Sequence, residues 1–499
     1  MTTPMEPVFL WTDVAMFLLV AALLAYGRIV ARTPHLAATW RQAFLRPAGA
    51  VSATVLLLFA TVGMLDSLHY RLALSSAPGE APAWSARTDS ALDALLAHLR
   101  DSQEVSYSRP LAIYGFAKQV TLLPDGKTIR RYPRLKHAGL GIDDAGHGWA
   151  ADVAKRALLG AAAGLTAFVA MFAASFALVH RSTPETAPDG RPAPCARGAG
   201  SGAEEGGAPG VRRAHGAELL RILHGRTRYP VRAVLLTLLI ACVLAGIVAG
   251  MATNYHVLGT DRTGRDLLYV VLKSIRTALV IGTMTTIFTL PLAVGLGLLA
   301  GYFRGWIDEA IQYLYTVVNS IPYVLLIAAS VLMLMVFIDK HPDWFPTMAN
   351  RTDARLFFLC VILGLGSWTD LCRLVRGEVL KLRELDFIQA AQAFGVPALR
   401  ILRVHLLPNI MHMVLINVVI RFSDLVLAEA TLSYVGIGVD PSMASFGTMI
   451  NTARLELARE PVIWWTLVTA FTFMVTLVLS ANYFADAVRD AFDPRAARR

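Results

Sequence analysis

The 499-residue, 54.1 kDa chain is 55% hydrophobic and only 16% charged, with a mean hydropathy of +0.52. Soluble domains carry roughly 25% charged residues, so this charge cannot coat a water-soluble surface; disorder, collagen-like repeats and small secreted disulfide scaffolds are excluded by the same figures. A surplus of 46 Lys and Arg over 36 Asp and Glu, or +10, fits arginine in cytoplasmic loops beside anionic lipid, and no basic run interleaved with aromatics speaks for nucleic acid.

Nine stretches reach the ~20 mainly apolar residues that a spanning helix needs: 9–26, 49–66, 157–179, 232–251, 277–301, 310–338, 355–375, 409–430 and 463–485. The first lacks a basic n-region and runs directly into Arg28 and Arg32, so it reads as an anchor and not as a cleavable leader. Loop 27–48 holds Arg28, Arg32, Arg41 and Arg46 without an acid, which places it in the cytoplasm and the N-terminus outside. Counting forward, 67–156 lies outside, 180–231 and 376–408 inside, and the C-terminus inside. Arg376, Lys381, Arg383, Arg400 and Arg403 agree with that order. Loop 252–276 does not: it carries Arg262, Arg265, Lys273 and Arg276, yet falls outside.

Between the second and third spans, residues 67–156 read as a small α/β domain. Thr88–Arg100 has a capping pattern, Ser90 with Asp93, and Leu92, Leu95, Leu96 and Leu99 at helical spacing. Residues 117–132 read as a hairpin turning at Pro124-Asp125-Gly126. His69, His98, His137 and His147 are scattered through this region and read as surface histidines. Residues 182–217 are rich in Pro, Gly and Ala and nearly free of large apolar side chains, so they cannot bury a core and read as a disordered linker. The expected organisation is two N-terminal spans (1–66), an outer domain (67–156), a third span (157–179), a cytoplasmic linker (180–230) and a six-span domain (231–499).

Catalytic and nucleotide-binding patterns are missing: no G-x-x-x-x-G-K-[ST], no H-E-x-x-H and no G-x-S-x-G occurs. Cys195, Cys242, Cys360 and Cys372 lie far apart, three of them in or beside apolar runs. They read as small hydrophobes, not as a disulfide framework or a zinc site. Gly295, Gly297 and Gly301 resemble a dinucleotide fingerprint only faintly and sit inside an apolar span, where close helix packing explains them.

The most informative segment is 383–408. It lies in a cytoplasmic loop, yet Phe387, Ala391 and Phe394 recur at helical spacing, an apolar face with nowhere in its own loop to be buried. Gly395 breaks that helix, and Pro397 suits the first turn of a second one ending near Pro408. Such a pair either docks in a groove of a partner or lies on the lipid surface.

Gln389-Ala390-Ala391, Gly395 and Leu407-Pro408 resemble the EAA loop of binding-protein-dependent ABC importer permeases, with Gln389 where the name expects Glu. The segment from His256 through Gly259, Thr260, Asp261, Gly264, Arg265 and Asp266 is similar to the H-x-L-G-T-D-x-x-G-R-D element of dipeptide and oligopeptide permeases. Ala300-Gly301-Tyr302 with Asp308, the run Glu429 to Ser433 with Gly436 and Gly438, and Asp490 with Asp493-Pro494 resemble three further elements of that family. Residues 1–230 resemble nothing comparable. The resemblance implies an all-α polytopic membrane protein, a six-span type I ABC importer permease core preceded by a three-span module with a small α/β extracytoplasmic domain, in a bacterial inner membrane. It places 252–276 outside and 383–408 inside.

It also implies partners: a sister permease subunit, two cytosolic ATPase subunits docked on the EAA helices, and an extracytoplasmic solute-binding protein. ATP and Mg²⁺ would be bound by the ATPase subunits, so no cofactor and no enzymatic activity is expected of this chain. Phe387, Gln389, Ala390, Ala391, Phe394, Gly395, Leu407 and Pro408 are then the ATPase-coupling residues. Asp370, Arg421, Asp424 and Glu429 lie in or at the ends of apolar spans, where an unpaired charge costs at least ~2.5–3.5 kcal/mol. They are candidates for a polar pathway, and Arg421 with Asp424, at i and i+3, are spaced to pair. The same machinery serves other small solutes such as nickel chelates or opines. From other classes, an ion-coupled secondary transporter would require repeated halves, which are not seen, and a membrane sensor would require a cytosolic output domain, which is not seen either.

Overall fold

The computed structural model describes residues 5–73, 84–85, 87–122, 128–142, 146–182, 230–345 and 347–492. Among them eight helices are long and apolar enough to cross a membrane, and a bent pair makes a ninth. The N-terminal part runs β1 (Met5–Val8), α1 (Trp11–Arg32), α2 (Pro34–Leu45), α3 (Pro47–Asp66), β2 (His69–Leu72), β3 (Asp89–Ser90), α4 (Ala91–Leu95), α5 (Ala97–Asp101), β4 (Gln119–Leu122), β5 (Thr128–Arg131) and α6 (Trp149–Ser182). The remainder is α7 (Val231–Ala252), α8 (Leu267–Phe303), α9 (Gly305–Ser320), α10 (Tyr323–Lys340), α11 (Met348–Ser367), α12 (Thr369–Arg383), α13 (Asp386–Ala393), α14 (Ala398–Arg400), α15 (Leu407–Val435), α16 (Phe446–Leu457) and α17 (Trp465–Phe492).

Several elements differ from the sequence expectation for local physical reasons. The stretch 310–338 is two helices, because Pro322 lacks an N–H and holds Ile321 extended at φ −87° and ψ 128°. The stretch 355–375 is the bent pair α11 and α12, which meet at 42°. The basic loop 27–48 is helical: α1 runs to Arg32, and Pro34 starts α2 at a position where a missing N–H costs nothing. The capping box of Ser90 and Asp93 is present, but the single helix expected over Thr88–Arg100 is the two short helices α4 and α5. The hairpin is present with Val120 opposite Arg130; its turn, Pro124-Asp125-Gly126, lies outside the described residues, as do Cys195, Asp493 and Pro494. β1, unforeseen, pairs antiparallel with β2 and brings the N-terminal residues to the segment that follows α3.

Packing divides the chain differently from a boundary at residue 230. The long helix α8 is the hub, in contact with α3, α11, α12 and α15. α3 fills the groove between α8 and α17, whereas α7 packs on α6 and α3 and has no buried residue of its own. α6 and α7 touch backbone to backbone: a Cβ on Gly160 would stand 2.3 Å from the Gly246 carbonyl oxygen, and one on Gly164 equally close to that of Cys242, the small-residue packing of membrane helices. α3 is thus built into the core and α7 is a peripheral partner of α6.

Charges lock these parts together at one end. The Arg276 guanidinium, on α8, donates to Asp13 at 2.6 Å and to Thr12 at 2.8 Å, with Asp353 of α11 at 3.8 Å. His69 is half-buried, not at the surface, with Nδ1 2.8 Å from Asp13. Lys273, one turn before Arg276, reaches both oxygens of Asp93 at 2.9 Å and Asp66 at 3.3 Å. Carboxylates from α1, α3, α4 and α11 therefore neutralise two cations of α8, as charges withdrawn from water require.

Candidate functional site

At the opposite end of α8 the segment 383–408 forms the expected projection, with its faces assigned differently. α13 turns Ile388 fully inward and half-buries Ala391 against the apolar cluster that holds Ile388, Ile401 and Leu406. Phe387 stays 45% and Phe394 87% exposed. The apolar stripe is split: Ile388 and Ala391 hold the projection to the body, and the two phenyl rings are left for something else. Ala391 is therefore not part of the outward face.

Gly395 sits at φ +72°, with its N–H on the Gln392 carbonyl and that of Val396 on Ala391, a Schellman end that an L side chain strains. Nothing lies within 4 Å of a Cβ built there, so its requirement is one of backbone angle alone. The second helix does not end near Pro408. It passes from α14 through a π-helical stretch, Ile401–Leu406, into α15, with Leu407 and Pro408 in the first turn of α15. The wide π turn absorbs the bond that Pro408 cannot donate. The bend at Gly395 is consequently continuous with a span.

The remaining motif residues of this end hold the projection in place. The Arg376 guanidinium donates to both oxygens of Asp308 at 2.6 and 2.7 Å, and Arg383 to the Tyr302 carbonyl at 2.6 Å. Gln389 Nε2 donates to the Glu384 carbonyl at 3.2 Å, while Ala390 is exposed beside it. A Cβ on Gly297 or Gly301 would stand 2.7 Å from Val375 or Val379, so these glycines set how closely α8 and α12 approach.

The four intramembrane charges do not form one group. Arg421 donates to the Ser367 carbonyl at 2.7 Å and to Asp370 at 3.4 Å; the expected pairing with Asp424 is replaced by this cross-helix contact, and Asp424 stays exposed. Glu429 is 1% exposed and accepts from Ser433 at 2.7 Å, beneath Gly447, where a Cβ would meet its Oε1 at 2.8 Å. It joins α15 to α16 and is buried between them.

Loop 256–266 is a folded element in its own right. Asp261 accepts from the N–H groups of Thr263 and Arg265 and pairs with the Arg265 guanidinium at 3.0 Å. Asp266 caps α8 through the Leu268 N–H and holds His256 Nδ1 at 2.7 Å. Thr260 donates to the Ser106 carbonyl, and Trp465 donates to the Thr260 carbonyl. Gly259 and Gly264 have positive φ, and a Cβ would stand 2.6 Å from the Ser108 carbonyl oxygen and 1.8 Å from that of Glu104. Glu104 lies 3.7 Å from His256 Nε2 and accepts from the backbone N–H groups of Lys136 and His137. Burial disfavours the charged imidazole, but the hydrogen bond to Asp266 and the Glu104 carboxylate 3.7 Å away outweigh it and raise His256 to about 9. Burial opposes the Glu104 carboxylate too, and His256 with the two N–H groups brings it below its ordinary value.

Sequence reasoning missed the charge joint of Asp13, Asp66, Asp93, Lys273, Arg276 and Asp353. A signal was present: each acid except Asp93 stands at the end of an apolar stretch, where a charge requires a partner.

A family model described as binding-protein-dependent transport system inner membrane component matches residues 293–498. The oligopeptide transport system permease protein OppC of Mycobacterium tuberculosis is 30% identical over 239 residues, 48% of this chain and 76% of the relative. The dipeptide transport system permease protein DppC of Alkalihalophilus pseudofirmus is 32% identical over 240 residues, 48% of this chain and 72% of the relative. DppC of Bacillus subtilis is 29% identical over 243 residues, 49% and 70% of the two chains.

Proposed function

This chain belongs to the family of binding-protein-dependent transport system inner membrane components, and from that premise we propose that it forms half of the translocation pathway of an ATP-driven importer of di- and oligopeptides. The similarity to peptide permeases supports the substrate class. The observation that carries the mechanism is the projection of α13, whose Phe387 and Phe394 rings are exposed while Ile388 and Ala391 hold it to the body. A groove on a cytosolic ATPase subunit would cover those rings. Motion of the groove would pass through Gly395 and the π turn into α15, where Arg421 and Asp370 offer charge of both signs to a zwitterionic peptide. A sister permease would supply the other half of the path, and an extracytoplasmic solute-binding protein would deliver the peptide.

The orientation belongs to the same reading: N-terminus and residues 67–156 outside, residues 180–230, the projection and the C-terminus inside. Lys273 and Arg276 are neutralised members of α8 and not loop charges, which removes the main objection that charge counting raises. The test is uptake of a labelled tripeptide into proteoliposomes holding both permeases and the ATPases, with the binding protein supplied outside. ATP-dependent accumulation is expected, and uptake of a nickel chelate with no peptide uptake would replace the substrate class. Cysteine labelling in intact cells should reach engineered sites in 88–140 and spare those in 185–215; labelling of the latter would overturn the orientation.

A further inference from the structure

Residues 104–108 lie directly on loop 256–266, with backbone so close at Gly259 and Gly264 that no Cβ fits. That loop is therefore covered along Gly259, Thr260 and Gly264, and only Arg262, Thr263 and Arg265 of its motif stretch stay exposed. This end presents instead a cavity of about 550 Å³ walled by residues 109–116 and by Tyr132, Trp149 and Pro461. Two cation–aromatic pairs belong to it: the Arg109 guanidinium lies 5.2 Å from the Phe116 ring centre, and Lys118 Nζ 5.5 Å from that of Tyr132. Among the described residues neither cation has a carboxylate partner. Phe116 is anchored edge-on to Trp465 at 5.1 Å, and Trp149 donates to the Leu111 carbonyl at 2.9 Å, so both are fixed in place.

Among the described residues of 105–149 there are six Lys and Arg and no Asp or Glu, and Arg130 and Arg131 are exposed along β5; one acid, Glu460, adjoins the wall residue Pro461. Fixed aromatic rings flanked by unpaired cations at the wall of a cavity have the composition of a protein-interface hot spot, and the sign asks for an acidic counterpart. A lipid surface is the weaker fit: aromatic belts sit at the ends of spans, and of these rings only Trp149 does.

We propose that this aromatic and basic cavity is the docking socket for an acidic surface of the extracytoplasmic solute-binding protein, which seats on the outer domain and not on loop 256–266. The proposal rests on the functional reading above. In the unbound permease the cations pair with ring faces; on docking they exchange those weak contacts for carboxylates of the partner, and a protruding side chain fills the cavity.

The test uses the assembled importer in nanodiscs of neutral lipid and the purified solute-binding protein of the same transport system. The Kd is measured over a range of salt. The double substitution Arg109→Glu with Lys118→Glu should weaken binding at least ~10-fold and flatten its salt dependence, and Tyr132→Ala should weaken it ~3-fold or more. Arg109→Gln, which introduces no repulsion, guards against misfolding and should fall between wild type and the double variant. Unchanged Kd in all three overturns the proposal. So does binding by the wild type that requires anionic lipid in the disc, which would make the surface a lipid site, or an Arg109-dependent doubling of particle mass without the binding protein, which would make it a contact between copies. An assembly that imports no peptide at all defeats the functional reading instead; normal import with unchanged Kd defeats the socket alone.

Discussion

The two ends of α8 are built on opposite plans. At its start the two charges of α8 itself are satisfied within the chain: Lys273 and Arg276 are matched by Asp13, Asp66, Asp93 and Asp353 from four other elements. At its finish glycines let α12 approach, and α13 is displayed with Phe394 87% exposed. One end of the helix is tied to its own chain by charge and the other carries an uncovered helix. A helix held rigidly at its start and uncovered at its finish suits a lever whose fulcrum is the charge joint.

The largest effect is expected at the fulcrum. Arg276→Leu leaves Asp13 and Asp353 facing each other without their cation in a buried site, a loss of about 3–5 kcal/mol when one partner of a buried pair is removed. The variant should lose most of its monodisperse yield and melt well below wild type in detergent. Arg276→Leu combined with Asp13→Asn should recover part of the loss. A wild-type melting curve for the single variant would show that the joint is solvated and not structural.

At the open end the damage should be to function and not to stability. Phe394→Glu sets a charge where the partner groove would close, so the variant should insert and melt normally, lose its ATPase subunits on pull-down and stop importing. Ala391→Glu forces a carboxylate against the buried apolar cluster at the base of the projection and should lower the melting temperature as well, since burying an unpaired charge costs several kcal/mol. If Phe394→Glu retains stoichiometric ATPase and full uptake, the projection lies on lipid and the contrast between the ends fails. Gly395→Val, at φ +72°, should cost about 1–3 kcal/mol in strain held at the bend.

The start of α8 has a pH window of its own. His256 is raised to about 9, so its contribution is full below its ordinary value and is lost as pH rises through about 9. Glu104 is lowered, so its contribution is full above its ordinary value and is lost as pH falls below that. Exchange of the Lys136 and His137 amides, which Glu104 accepts, should be slow from about pH 6 to 8 and, corrected for intrinsic rate, speed up above about pH 9. His256→Gln should abolish the alkaline step; protection that is flat to about pH 10 in wild type would break the assignment.

How legible all this was in the sequence follows from the same contrast. Apolar periodicity placed nine spans because hydropathy is a local property, and the breaks at Pro322 and Trp368 were the errors, since a run of apolar residues reads alike whether or not its helix bends. The projection was legible as a helix pair because Gly395 and Pro397 are local signals. Which of its residues face out was not, because Ile388 and Phe387 are equally apolar and only packing against the rest of the fold buries the one and leaves the other exposed. The outer joint was illegible as a unit: Asp13 and Arg276 are paired at 2.6 Å across 263 positions, and counting both Lys273 and Arg276 as loop charges made the topology look inconsistent. The tie of Glu104 to His256, likewise, joins an unfamiliar domain to a familiar motif.

The smallest effect is expected midway, where Arg421 meets Asp370. The pair is partly exposed, with the Asp370 side chain 73% accessible, and exposed ion pairs contribute only about 0–1 kcal/mol. A structural role would therefore be cheap to lose and simple to restore. Arg421→Asp with Asp370→Arg keeps the attraction and exchanges the positions of the signs. If the pair only ties α15 to α12, the swapped protein should melt within a few degrees of wild type and import at its normal rate. If the arginine receives the peptide carboxylate, stability should again be near wild type, but KM for a zwitterionic peptide should rise at least ~10-fold, about 1.4 kcal/mol of lost binding. KM for a peptide with an amidated C-terminus should change much less. The second outcome is expected, because Arg421 keeps its main contact with the Ser367 carbonyl at 2.7 Å and reaches Asp370 only at 3.4 Å, which leaves the guanidinium anchored and its charge mostly unspent. Equal KM shifts for the free and amidated peptides would return this pair to structure.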